Sequence, residues 1–65
     1  MKLRDLQQFT HPLQIVKILY RDPTHSLQTS IVYEGWFKRI SDNVLLDRNI
    51  AVCRAYCSVL YIEIY

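Results

Sequence analysis

The sequence predicts a small α+β fold: a short N-terminal helix, then a strongly curled, barrel-like antiparallel sheet of about four strands, with a short helical turn near residues 42–47. Three observations predict it. Apolar residues follow a helical spacing only near the start, later runs are rich in β-branched and aromatic residues, and the interruptions between them carry Pro, Asp, Ser or a lone Gly. With 65 residues, 51% of them hydrophobic and 22% charged, the chain reads as a single domain, 1–65. It lies outside the low-hydrophobicity range of disordered chains.

Residues 2–9 set Leu3, Leu6 and Phe9 three apart, with Lys2, Arg4, Asp5, Gln7 and Gln8 on the other side, which is the pattern of a short amphipathic helix. His11-Pro12 ends it, because the residue before a proline is pushed out of the helical region and proline has no amide hydrogen. Residues 13–20, LQIVKILY, are mostly apolar in both alternating sets, as expected of a central strand covered on both faces. Residues 21–26 form a loop around Asp22, Pro23 and Ser26. A strand returns over 27–34, Gly35 interrupts it as a bulge or bend, and 36–40 continue extended, so that one long strand curls around a small core. Ser41 is the expected N-cap of a helical turn over 42–47, with Asp42 in its first turn. The remainder gives two strands, Ile50–Ala55 and Val59–Tyr65, with a tight turn at Tyr56-Cys57-Ser58; one long bent strand fits the same letters. In the last strand Leu60, Ile62 and Ile64 form the core face, and Tyr61, Glu63 and Tyr65 the other.

Several chemistries are excluded by what is missing. Gly35 is the single glycine, whereas phosphate-cradling loops need two or three so that the backbone can approach the phosphate. His11, His25, Cys53 and Cys57 match no short metal-binding spacing, so no metal or cofactor is expected, and two loop histidines without an orienting partner argue against an enzyme. On one strand Cys53 and Cys57 would lie about 13 Å apart; a hairpin between them could bring them together. The charged start, Met1-Lys2-Leu3-Arg4-Asp5, and the lack of a run near 18 apolar residues argue against a signal peptide and a membrane span. The expected setting is the cytosol, with reduced thiols.

The basic residues Lys2, Arg4, Lys17, Arg21, Lys38, Arg39, Arg48 and Arg54 are interleaved with six acids, and the pI is 8.7. Nucleic-acid binding calls for a concentrated basic stripe and a pI above about 9, so the ordinary reading of most of these cations is solvated surface. Lys38-Arg39 beside Trp36 is the exception, since a cation next to an aromatic ring holds a planar anion by stacking and charge together. Trp36, Lys38 and Arg39, with Tyr33 and the later Arg48 and Arg54, form the candidate ligand-binding set. Tyr20, Tyr33, Trp36, Phe37, Tyr56, Tyr61 and Tyr65 are more aromatics than a core of this size can enclose. A chain this short buries only about 60% of its unfolded surface, which points to self-association through the face of Tyr61, Glu63 and Tyr65.

Met1-Lys2-Leu3-Arg4-Asp5-Leu6, the segment Ile15-Val16-Lys17-Ile18, Val32-Tyr33-Glu34-Gly35, Ile40, Leu45-Leu46-Asp47-Arg48 and the terminal Leu60-Tyr61-Ile62-Glu63-Ile64 together resemble short proteins encoded by phages and mobile elements of Gram-positive bacteria. The resemblance spans nearly the whole chain and departs from the type at Ser41-Asp42-Asn43, where a proline is usual, and at Tyr56-Cys57-Ser58, where the turn is usually polar. No functional residues come with it. It implies a phage accessory protein acting in the host cytosol by counter-defence. The leading expectation is a non-enzymatic homo-oligomer that sequesters a small anionic, nucleotide-derived signalling molecule at a subunit interface; the alternative is an inhibitor that binds a host defence protein.

Overall fold

The two segments with the densest aliphatic alternation lie side by side. In the computed structural model, which describes residues 1–21 and 29–65, strand β1 (Ile15–Arg21) pairs in parallel with strand β4 (Val59–Ile64) at the centre of a four-stranded sheet. Strand β2 (Thr29–Trp36) runs antiparallel to β1 on one side, and β3 (Ile50–Tyr56) antiparallel to β4 on the other, giving the order β2-β1-β4-β3. The elements on the sheet are helix α1 (Leu3–Gln7), a 3-10 turn at Phe37–Arg39, and helix α2 (Asn43–Leu46).

The α+β class holds, but the antiparallel, barrel-like sheet does not: the central pair is parallel and the sheet is open, with β2 and β3 as its edges. The reason is a shared core. Register sets Val16 beside Leu60, Ile18 beside Ile62 and Tyr20 beside Ile64, so the two central strands turn these residues to one side. There they meet Leu3, Phe37, Ile40 and Leu46 from the helical segments, and Val16, Ile18, Ile62, Leu3 and Phe37 are fully buried. Once short helices cover that side, the sheet has no need to close on itself. The expectation that β1 is covered on both faces is corrected too, since Ile15 remains 40% exposed on the far side.

Helix α1 is shorter than the expected 2–9, and Phe9 lies outside it and is exposed. The Asp5 carboxylate accepts a hydrogen bond from the Lys2 backbone N–H at 3.1 Å and so satisfies one donor of the helix start. Strand β1 begins at Ile15 rather than residue 13, leaving Leu13 exposed. The expected loop over 21–26 lies outside the described residues apart from Arg21, which ends β1. Gly35 sits inside β2, not at a break in it; the ladder irregularity falls near Val32, and the chain leaves the strand through the 3-10 turn instead of continuing extended to residue 40. The N-cap of α2 is Asp42, not Ser41: its Oδ1 accepts from Val44 N at 3.0 Å and Leu45 N at 3.4 Å. Of the two C-terminal alternatives, the hairpin forms, turning through Cys57 (φ 50°) and Ser58 (φ 65°).

Side chains tie these short pieces to the sheet. Gln7 Nε2 donates to the carbonyls of Phe37 at 2.7 Å and Ile40 at 3.2 Å, locking α1 to the 3-10 turn. Gln14 Nε2 donates to Ser58 O at 2.9 Å and so holds the β3–β4 turn against the start of β1. Arg4 pairs with Asp47 at 2.7 Å, an exposed ion pair worth about 0.2–1 kcal/mol. Phe37 is the largest fully buried side chain. Truncating it to Ala should cost about 3–5 kcal/mol, against a total stability of about 3–10 kcal/mol for a domain of this length. Urea denaturation followed by circular dichroism should find Phe37→Ala unfolded or close to it, while Phe9→Ala, at an exposed site, should leave the midpoint within error.

Candidate functional site

Because Val16, Ile18, Ile62 and Ile64 face the helices, the alternate residues of each strand point to the opposite side. Register arranges them in rows across all four strands. Trp36, Ile15, Val59 and Tyr56 form one row, and Glu34, Lys17, Tyr61 and Arg54 the next. Ile31, Leu19, Glu63 and Val52 form a third, where the irregularity near Val32 brings Ile31 opposite Leu19. The first row is apolar from edge to edge, about 14 Å across three strand spacings, and its two ends are open, with Trp36 44% and Tyr56 69% exposed. The second row carries charge. Lys17 Nζ lies 3.6 Å from Glu34 Oε2 and 6.0 Å from the centre of the Tyr61 ring.

At the β2 end of the apolar row the chain builds a shallow recess of about 280 Å³, lined by Ile15, Tyr33, Glu34, Gly35, Trp36 and Arg39. Residues three apart nearly eclipse each other in a 3-10 turn, and this turn folds the Arg39 guanidinium back over the Trp36 ring, 5.4 Å from its centre. Tyr33 donates its hydroxyl to the Trp36 carbonyl at 2.7 Å. Gly35 makes that possible. Its φ of +146° is a conformation L side chains rarely adopt, and a Cβ there would meet the Tyr33 hydroxyl at 3.3 Å.

Tyr33, Trp36 and Arg39 of the expected set therefore meet, with Lys38 exposed on the same turn. Arg48 and Arg54 are elsewhere. The Arg48 guanidinium lies over the Tyr20 ring at 5.4 Å, and Arg54 stands on β3, at the far side of the sheet from β2. Of the expected interface residues, Tyr61 and Glu63 are half-buried in the second and third rows, and Tyr65 is exposed beyond the end of β4. Ile15, Glu34 and Lys17 were not in the expected set. Only the register of distant strands brings them in, and that signal is absent from local sequence.

Cysteine chemistry gains nothing from this arrangement. Cys53 and Cys57 are free and largely exposed, and the partial burial of Cys53 pushes its thiol above the ordinary value, away from the thiolate a nucleophile or metal ligand needs. Among the described residues no group of three or more His, Cys, Asp or Glu is placed to hold a metal ion, and no helix is long and apolar enough to cross a membrane.

The recess should depend on Gly35 more than on the hydroxyl it accommodates. Tyr33→Phe loses one hydrogen bond and should cost about 0.5–1.5 kcal/mol. Gly35→Ala combines backbone strain with crowding and should cost more, about 1–3 kcal/mol. Thermal melts of both variants should rank them in that order, and Trp36 fluorescence should shift in each.

No family model, no curated protein and no solved structure matches this chain, so the functional reading is built from its own geometry.

Proposed function

We propose that the chain is a non-enzymatic accessory protein that binds a protein partner on the uncovered face of its sheet, acting in the host cytosol as a counter-defence inhibitor. The observation that carries this reading is the apolar row Trp36, Ile15, Val59 and Tyr56, spread flat over four strands. A flat apolar band with exposed aromatic ends suits a macromolecular surface, in which a few such anchors dominate the binding energy. The adjoining charges set the partner's chemistry. Glu34 offsets Lys17 within its row, while Arg39 and Arg54 stand toward opposite edges. The fitting partner presents an apolar stripe bounded by acidic side chains.

Capture of a small nucleotide-derived anion becomes the second reading. The stacking of Arg39 on Trp36 favours it. Two features weigh against it: the recess is shallow and open to solvent rather than enclosing, as a small-ligand pocket does, and Glu34 on its rim repels an anion.

One set of variants separates the two. Immobilised wild type, Ile15→Asp, Tyr56→Asp and Arg39→Ala are exposed to host lysate, and the same four proteins are melted with a panel of mono-, di- and cyclic nucleotides. A protein retained by wild type, weakened by Arg39→Ala and lost with both Asp variants supports the protein-binding reading. A nucleotide that raises the melting temperature of wild type and Tyr56→Asp alike, and binds Arg39→Ala about tenfold to hundredfold more weakly, supports the second reading and sinks the first.

A further inference from the structure

The uncovered face of the sheet is complementary to itself. Resting on the reading that this face is the docking surface, we propose that a second copy of the chain closes it while no other protein is bound. The two copies are related by a twofold axis that runs along the strands, midway between β1 and β4.

Charge selects this axis. Two sheets packed face to face keep their strands nearly aligned, so the axis relating them runs either along the strands or across them. Glu34, Lys17, Tyr61 and Arg54 follow one another from the β2 edge to the β3 edge. An axis across the strands lays each strand on its own copy, with Glu34 over Glu34, Lys17 over Lys17 and Arg54 over Arg54, where like charges repel. An axis along the strands reverses the row. Glu34 then faces Arg54 of the second copy, twice over, and Lys17 faces the second Tyr61 as it does the Tyr61 ring of its own chain, 6.0 Å away. The Glu34 carboxylate, 3.6 Å from Lys17, gains a second cation. Within the three rows Lys17 and Arg54 balance Glu34 and Glu63, so the two faces meet without a net charge between them.

Shape agrees with charge. The same axis reverses the first row, bringing Tyr56 of one copy over Trp36 of the other and Ile15 over Val59. Tyr56 stands at the β3 end and is the most exposed residue of its row, while the recess of about 280 Å³ beside Trp36 lies at the β2 end. A cavity of about 150 Å³ accommodates benzene, so the recess has room for the Tyr56 ring of the second copy. Arg39 and Glu34 on the recess wall are partners for its hydroxyl. In the third row Ile31 and Val52, both exposed in the single chain, cover each other, and Leu19 lies over Glu63.

Geometry also sets the strength. The tilt of about 30° usual between aligned sheets moves the ends of a row, about 7 Å from the axis, by about 4 Å, which the Arg54 and Glu34 side chains span. Three rows of four strands measure about 19 Å by 20 Å, roughly 400 Å² of plane on each copy. Two such faces bury less than the roughly 1,200–2,000 Å² of a stable complex. The dimer is therefore a weak, exchanging one, and a partner that fits the face better displaces the second copy.

The test is sedimentation velocity on the purified chain, Glu34→Arg, Arg54→Glu and an equimolar mixture of the two variants, over a range of micromolar concentrations, with circular dichroism on each. The wild type should sediment as a dimer that grows no further, since a twofold contact closes. Each variant alone sets like charges opposite each other at two places, and should keep the wild-type spectrum while dimerising at least about tenfold more weakly. The mixture should dimerise again, because every such contact then joins opposite charges. If Glu34→Arg fails to fold, Arg54→Glu and Tyr56→Ala decide, and each should weaken the dimer by itself. A wild type that stays monomeric, single variants that dimerise as the wild type does, or a mixture of folded variants that stays monomeric would overturn the proposal. A monomer leaves the partner-binding reading standing, because capture from host lysate tests that reading. A dimer of the expected behaviour that retains no host protein removes the partner and keeps the second copy.

Discussion

The parallel pairing of β1 with β4 is the constraint on which the rest of this structure depends. It aligns Val16 and Ile18 with Leu60 and Ile62, and that alignment creates the core face. It also decides which side chains share a row on the other face, and it places β2 and β3 at the edges by leaving them one free side each of the central pair. The pairing closes a long loop, residues 21–58. Loop entropy grows only slowly with length, so the burial of four aliphatic side chains in fully or nearly closed positions outweighs the difference between a long connection and a short one.

The helical elements contribute little by themselves. Helices of five and four residues are far below the length at which an isolated helix persists in water. They exist because the sheet offers Leu3 and Leu46 a surface to cover and because Asp5, Asp42 and Gln7 satisfy backbone groups at their ends and at the neighbouring turn. They cover one side of the central strands and reach β3 only at its start, where Ile50 packs on the core and donates its N–H to the Met1 carbonyl at 2.8 Å. The sheet is therefore covered on one face and bare on the other.

How much of this is legible in the sequence depends on the range of each interaction. The alternation of Leu60, Ile62 and Ile64 against Tyr61, Glu63 and Tyr65 correctly marks the core face of the last strand, because a period of two is a local property. The turn around Tyr56-Cys57-Ser58 is local as well, whereas the helix expected to run to His11-Pro12 already ends at Gln7. Ser41 loses the cap to Asp42 by a single residue, a choice that the exact entry angle of α2 makes. The parallel centre is not legible. Strands joined through two hairpin-like returns read naturally as antiparallel throughout, and nothing near Ile15 records that residues 59–64 will lie beside it. The candidate site divides the same way: Trp36 and Arg39 meet because they lie three positions apart across a 3-10 turn, whereas Arg48 and Arg54 are placed by the sheet order and end up apart.

The separation of β1 from β4 along the chain also has a consequence during synthesis. At about 5–20 residues per second, the segment from residue 21 to residue 58 takes roughly 2–8 s to make, and throughout that interval β1 exists without the neighbour that closes its inner edge. A nascent chain at that stage holds at most the β1–β2 hairpin, with Val16 and Ile18 unsheltered and a row of backbone groups open to any extended segment nearby. Crowded polysomes bring identical nascent segments close together. The pairing that organises the fold thus waits until residues 59–64 have been made, and slower translation of the intervening segment lengthens the period in which the newborn chain is open to association with the wrong strand.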